Sequence, residues 1–287
     1  MHAADSAQRG APVDAAASGR PVMNQLRVTW PGGGTAQALA AVVATGPLVH
    51  CLTNIVVAGF TANVLLALGA SPAMVENACE AGPFASISGG VLINLGTLSP
   101  ERESAMRAAA EAASRAGRPW VLDPVAVGVL EHRTRLASEL LAWRPAVVRG
   151  NPSEVMSLAG CTGAQGKGVD SATASEQAVE AASDLARRSG AVVAVSGAVD
   201  YITDGAELVA VPDGDPMMAK VTGVGCALGA VMAAFLAAGA PPLLAATGAS
   251  ALMGAAGSRA ARGGPGPGTF AVRLIDHLAG LAESVRP

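Results

Sequence analysis

Charge is scarce in this 287-residue sequence: Asp, Glu, Lys and Arg make up 14% of it, 19 basic against 22 acidic residues, for a formal net charge of -3. Such a balance leaves no basic footprint for nucleic acid or for an anionic lipid surface. Cysteine is scarcer still. Cys51, Cys79, Cys161 and Cys226 stand far apart in no CxxC or Cys/His spacing, which points to reduced thiols and excludes a zinc site or a disulfide framework. What is abundant is apolar: hydrophobic residues reach 51%, with 35 Gly. Disorder over the whole length is thereby excluded, and a chain of this size buries a large core without staples.

The lack of charge is uneven. No Asp, Glu, Lys or Arg lies between Arg27 and Glu76, nor between Lys220 and Arg259, and each gap is long enough for a transmembrane helix. The first, however, holds Pro31, Gly32-Gly33-Gly34, His50, Thr53, Asn54 and Asn63, and the second is broken by Pro241-Pro242. Neither is flanked by clustered Lys or Arg. Both therefore read as soluble segments whose helices are buried on more than one face. Residues 1–36, rich in Ala, Gly, Ser and Pro without an apolar h-region, read as a flexible tail or extended start and not as a signal peptide. The expected compartment is the cytoplasm.

From Pro47 onward, short β-rich runs alternate with Ala-rich helical segments, the pattern of one layered α/β domain over residues 37–287. Strands are expected at 48–52, 90–95, 120–122, 146–149 and 192–196, mostly continuous apolar runs suited to burial on both faces. Residues 201–203 and 207–211 flank Asp204-Gly205-Ala206 and are expected to form a hairpin, an antiparallel addition to a parallel sheet. Helices are expected at 62–67, 100–116, 133–141, 153–159, 175–189, 226–238, 243–261 and 271–283. Several strands run into polar or Gly-containing clusters: Thr53-Asn54, Asn94-Leu95-Gly96-Thr97, Asp123-Pro124, Arg149-Gly150-Asn151 and Ser196-Gly197. In open α/β sheets these positions line one ligand-binding rim.

The sharpest segment is Lys220-Val221-Thr222-Gly223-Val224-Gly225-Cys226-Ala227, directly ahead of an apolar helix. Two glycines before a helix let backbone N–H groups converge on an anion, and the helix dipole adds partial positive charge. It is not a Walker A loop, since no Lys-Ser/Thr follows the glycines, and Gly166-Lys167-Gly168 fails that pattern too. A third glycine at Gly229 is misplaced for a dinucleotide fingerprint. Asp123 suits a hard cation or a turn cap, and Glu154, three residues after Asn151, suits the N3 position of a capping box. Arg149 at a strand end suits phosphate better than packing. Met74 alone suits a core gap.

Taken together, Leu48-Val49-His50-Cys51-Leu52-Thr53-Asn54, Gly69-Ala70-Ser71-Pro72-Ala73-Met74, Asn94-Leu95-Gly96-Thr97, Val121-Leu122-Asp123-Pro124, Arg149-Gly150-Asn151-Pro152-Ser153-Glu154, Val221-Thr222-Gly223-Val224-Gly225-Cys226 and Gly264-Pro265-Gly266-Pro267-Gly268-Thr269 resemble the hydroxyethylthiazole kinases of thiamin salvage. The resemblance implies a three-layer ribokinase-like fold, a mostly parallel central sheet with helices on both faces. It implies ATP- and Mg2+-dependent phosphorylation of 4-methyl-5-(2-hydroxyethyl)thiazole by a homotrimer with sites between subunits. By the same resemblance Met74, Asn54 and Gly223 contact the thiazole, Gly223, Gly225 and Cys226 carry the catalysis, Arg149, Ser196 and Thr222 hold ATP, and Asp123 and Glu154 organise the metal. Cys226 stands where most ribokinase-like enzymes have an aspartate base. A thiol at a helix start is expected to shift toward thiolate, against the opposing charge of a nearby triphosphate, and Cys226 is expected to steer the hydroxyl more than to remove its proton. The departures are Ser196 where the family commonly has Thr, a less typical stretch at 76–87, and the continuation of Asp123-Pro124 through Gly128. A kinase for another heteroaromatic alcohol, such as the hydroxymethylpyrimidine half of thiamin, and a non-catalytic ligand-binding relative are the alternatives.

Overall fold

Continuous apolar runs become strands here because they are covered on both sides. The computed structural model describes residues 25–161 and 171–286, and the Gly166-Lys167-Gly168 stretch lies outside them. Strand β4 (Gly90–Asn94) sends Leu92 into one core and Val91 and Ile93 into the other. In β5 (Trp120–Asp123), Val121 faces the first core and Trp120 and Leu122 the second. Strands β6 (Val147–Gly150) and β7 (Val192–Val195) divide their residues in the same alternation. Successive side chains of a strand point to opposite faces, so burial of both faces demands apolar residues at every position.

The sheet also contains β1 (Gln25–Arg27), β2 (Leu48–Leu52), β3 (Ser71–Ala73), β8 (Asp200–Thr203) and β9 (Leu208–Val211), in the order β1-β9-β8-β7-β6-β5-β4-β2-β3. All neighbours pair in parallel except β8, which is antiparallel to both β7 and β9. The expected hairpin is thus present as β8 and β9.

Helices α1 (Thr35–Thr45), α2 (Ala58–Ala67), α8 (Val224–Ala237), α9 (Pro242–Ala260) and α10 (Pro267–Glu283) supply one core. Helices α3 (Ala78–Ile87), α4 (Pro100–Arg115), α5 (Glu131–Leu141) and α6 (Pro152–Leu158) supply the other, together with the described part of α7 (Ser171–Ser189). The result is the three-layer α/β arrangement expected. Helix α8 lies so close to the sheet that a Cβ on Gly90 would meet the Ala233 carbonyl oxygen at 2.5 Å. Its apolar residues are nearly all buried, and no helix among the described residues is long and apolar enough to cross a membrane.

Several elements depart from the sequence expectation. Of the two readings of this segment, residues 25–36 follow the extended start and not the tail: β1 pairs with β9 at the sheet edge, and α1 begins at Thr35. Composition misreads this segment because β1 is a three-residue exposed edge strand and α1 lies between turn-like glycines, both left-handed, at Gly34 and Gly46. Strand β3 carries Pro72 in its middle, which only an edge strand tolerates. Helix α3 contains Pro83 but is started by Asn77, whose side chain accepts a hydrogen bond from the Cys79 N–H.

Candidate active site

Parallel strands that share a register bring their carboxyl-terminal residues to one rim. Asn94 of β4 lies beside Asp123 of β5, and Arg149 of β6 beside Ala194 of β7, close to Ser196. Asn54 follows β2, the neighbour of β4 on the other side. Above these strand ends stands the first turn of α8.

Side chains from these ends form one continuous line. Asn54 Nδ2 donates to Cys226 Sγ at 3.4 Å and lies 3.2 Å from Asn94 Oδ1. Asn94 Oδ1 also accepts from the Gly96 N–H at 3.0 Å, while its Nδ2 donates to Asp123 Oδ2 at 2.6 Å. The other Asp123 oxygen, Oδ1, is buried without a hydrogen-bond donor and lies 3.7 Å from Arg149 Nη1. Arg149 in turn donates from Nε and Nη2 to Ser196 Oγ at 3.1 and 3.0 Å. A thiol, two amides, a carboxylate, a guanidinium and a hydroxyl are thereby strung across the ends of five strands and the start of α8. Asn94 is the member that the sequence reading left without a role. Its signal was its place at the end of an apolar strand, which an asparagine shares with any turn.

Helix α8 starts at a left-handed Gly223, φ +100°, with no side chain capping the first turn. The leading N–H groups of a helix have no intrahelical acceptor and so are available to an anion. A Cβ on Gly225 would come within 2.8 Å of Arg149 Nη2, so the glycine lets the helix start close over the guanidinium. Thr222 is exposed just ahead of this turn. Beyond Arg149 opens a cavity of about 550 Å3, with a polar wall that includes Arg149, Ser196 and Asp200 and an apolar one of Met218, Leu228 and Met253. Met74 follows β3, which pairs with β2 on the side away from β4, and is half-buried and packed on the core that includes α8.

Glu154 is placed by its own helix. Asn151 and Glu154 form a capping box at the start of α6, in which the Asn151 N–H donates to Glu154 Oε2 at 2.9 Å. The other oxygen, Oε1, accepts from the Ala126 N–H at 3.0 Å.

Burial dominates the protonation of the line. The Asp123 carboxyl is pushed up to about 6 by desolvation, with the Glu154 charge adding to the rise and Arg149 and the Asn94 hydrogen bond opposing it. Cys226 is raised, first by burial and then by Asp123, against the pull of Arg149, Asn94 and Asn54. The thiolate shift expected from the helix dipole is therefore reversed: desolvation and a neighbouring carboxylate outweigh a partial charge. Asp200 is likewise raised by burial.

Among the described residues no group of three or more His, Cys, Asp or Glu is placed to cage a metal. The buried, unpartnered Asp123 Oδ1 fits the alternative, a magnesium ion that keeps waters and takes one or two carboxylates and phosphate oxygens. Glu154 oxygens, each already accepting one N–H, retain a lone pair apiece.

Residues 39–284 match the model of the hydroxyethylthiazole kinase family. The chain belongs to this family. It is 60% identical over 232 residues to a hydroxyethylthiazole kinase of Clavibacter sepedonicus, covering 81% of this chain and 84% of that protein. The solved structure of a hydroxyethylthiazole kinase from Pyrococcus horikoshii OT3 superposes with a TM-score of 0.80 at 38% identity, over 88% of this chain and 94% of that one. A ribokinase-like superfamily protein from Enterococcus faecalis V583 superposes with a TM-score of 0.62 at 14% identity, over 90% of this chain and 96% of that one, a likeness of fold.

Proposed function

We propose that this chain transfers the γ-phosphoryl group of ATP to the primary alcohol of 4-methyl-5-(2-hydroxyethyl)thiazole, giving the thiazole phosphate used in thiamin salvage. The observation that carries the reading is the Cys226–Asn54–Asn94–Asp123–Arg149–Ser196 line, set under a glycine-led helix start, in a member of this family. A bond forms between the alcohol oxygen and the γ-phosphorus as the bond to the β,γ-bridging oxygen breaks, and the hydroxyl proton is released.

Each part of the line has a task. Met74 and Asn54 hold the thiazole alcohol on the β2–β3 side. The amides of Gly223, Gly225 and Cys226 point at the transferred group, where fixed donors act most strongly in a transition state that is mostly positioned and neutralised. Arg149 and Ser196, with Thr222 at the edge, hold the triphosphate, and the cavity beyond takes the nucleoside. Asp123 Oδ1 and Glu154 would hold Mg2+, which when bound neutralises phosphate oxygens. Cys226 Sγ keeps its proton at neutral pH and orients the alcohol instead of deprotonating it, which a loose transition state permits.

Ile55 and Val56, directly after Asn54, are exposed. An apolar group of this kind at the rim suits a neighbouring subunit, in keeping with a homotrimer whose acceptor sites lie between chains. Four free cysteines suit a cytoplasmic enzyme.

The deciding experiment is a steady-state comparison of the thiazole alcohol and hydroxymethylpyrimidine with Mg-ATP. The thiazole alcohol is expected to turn over with the higher kcat/KM; no thiazole turnover overturns the proposal.

A further inference from the structure

Residues 74–77 join β3 to α3 without regular structure, yet both central residues are pinned. The Val75 carbonyl accepts a hydrogen bond from His50 Nε2 at 2.8 Å. The Glu76 carboxylate is gripped by Arg102 through two contacts, Nη1 to Oε2 at 2.9 Å and Nη2 to Oε1 at 2.8 Å. That arrangement is the bidentate fork that fixes a carboxylate in direction as well as distance. Arg102 Nη2 also donates to the carbonyl of Thr53, the residue before Asn54. One guanidinium therefore joins the segment that follows Met74 to the end of β2.

The helix that supplies Arg102 gives it no reason to be there. Helix α4 is capped by Ser99, opens with Pro100, carries Glu101 and Glu103 in its first turn and ends on Arg115. Every one of these choices suits a helix N- or C-terminus. Arg102 is the exception, a cation in the first turn, where the helix dipole opposes it. It is also buried, its side chain 10% exposed and its Nε without a partner, although burying a guanidinium is unfavourable unless it is fully paired. A residue that opposes the stability of its own helix and joins two segments of a binding rim is explained by what it holds in place.

We propose that Arg102 and Glu76 are positioning residues for the acceptor alcohol, clamping residues 74–77 against the Asn54 end of β2 so that Met74 and Asn54 face the substrate at a set separation. The inference rests on the acceptor side assigned above. His50 is the second fastening. It is fully buried, edge-on to Phe84 of α3 at 5.1 Å, and burial lowers its pKa, so the neutral ring donates from Nε2 to Val75. No member of the clamp touches the Asp123–Arg149–Ser196 half of the line, so its effect is confined to the acceptor.

The test is steady-state kinetics of Arg102→Met, Glu76→Gln and the double variant of the full chain, with Met74→Ala alongside. Arg102→Met is expected to raise the KM of the thiazole alcohol about tenfold, and Glu76→Gln by about threefold, with the KM of ATP within about twofold of wild type. The double variant is expected to match Arg102→Met, because the second change removes an interaction already lost. Equal rises in both KM values, or an unchanged acceptor KM with only a lower melting temperature, overturn the clamp. Where Arg102→Met does not fold, Glu76→Gln, whose side chain is 33% exposed, decides by the same criterion. If Met74→Ala raises the acceptor KM and neither clamp variant does, the clamp alone fails. If Met74→Ala also leaves it unchanged, the acceptor-side assignment fails, and the clamp with it.

Discussion

Asn94 holds Asp123 from the adjacent strand, its Nδ2 2.6 Å from Asp123 Oδ2, and leaves the second carboxylate oxygen buried with no donor. One amide thus satisfies half of a carboxylate, and the other half lies 3.7 Å from Arg149 Nη1. A fully buried carboxyl left in this state is a strained group in the energetic sense, and its pKa of about 6 expresses that.

Asp123 therefore sets a pH dependence with an unusual sign. In the unfolded chain it ionises near its ordinary value of 3.8, in the folded chain near about 6, so between those values the native state binds the additional proton. Its contribution to stability is full below the unfolded value and is lost as pH rises through the folded one. A gap of this size corresponds to about 3 kcal/mol, part of which the Arg149 pairing lost in a variant would offset. Asp123→Asn is expected to be about 1–3 kcal/mol more stable than wild type at pH 8 and indistinguishable near pH 4, while losing nearly all activity. Urea unfolding at the two pH values measures this, and equal or lower stability of the variant at pH 8 contradicts it. In the wild type, kcat/KM for ATP should fall as pH drops below about 6.

Cys226 is a neutral thiol at working pH, since burial and Asp123 both raise it. Cys226→Ala is expected to lower kcat about tenfold or more while changing either KM by less than about threefold, the signature of a group that matters in the transition state. Alkylation of the Cys226 thiol by iodoacetamide should be slow at pH 7 and accelerate only above the ordinary thiol range. A thiolate absorbance assigned to Cys226 by loss in the alanine variant and titrating below pH 8 would count against the neutral form.

Gly223 is needed for two separate reasons. Its φ of +100° disfavours any L side chain, and a Cβ there would meet Val57 Cγ1 at 2.8 Å and Phe60 Cδ1 at 3.2 Å. Gly223→Ala should cut kcat by at least about 100-fold, comparable to loss of a fixed oxyanion donor, and Gly223→Val should nearly abolish transfer. Single-turnover phosphoryl transfer monitored beside circular dichroism separates the loss of chemistry from loss of fold; a folded Gly223→Val with wild-type rates rejects the anion-hole role.

Much of this molecule was legible in its residues because local constraints dictate it. The runs around Leu92, Val121, Val148 and Val193 are apolar at every position, and only strands covered on both faces require that. Gly223 ahead of an apolar run announces a helix start through backbone geometry alone, and α8 does begin there, with Gly223 left-handed. Asn151 and Glu154 at their spacing announce a capping box, which is present. Elements that depend on distant partners were not legible. Strand β1 exists because β9 offers it an edge, and β3 tolerates Pro72 because no strand among the described residues pairs on its far side.

At the rim the division is sharper. Sequence by itself determined which residue types stand at the strand ends, because parallel strands of similar length must finish together and end in polar turns. Tertiary structure alone decided how those residues meet. Asn94 reaches Asp123 through strand register, Arg102 reaches Glu76 and Thr53 across 26 and 49 positions, and the thiol of Cys226 keeps its proton. Helix position favours thiolate, but the dielectric and charge of its surroundings favour the thiol, and those are properties of a packed interior that no local stretch of sequence contains.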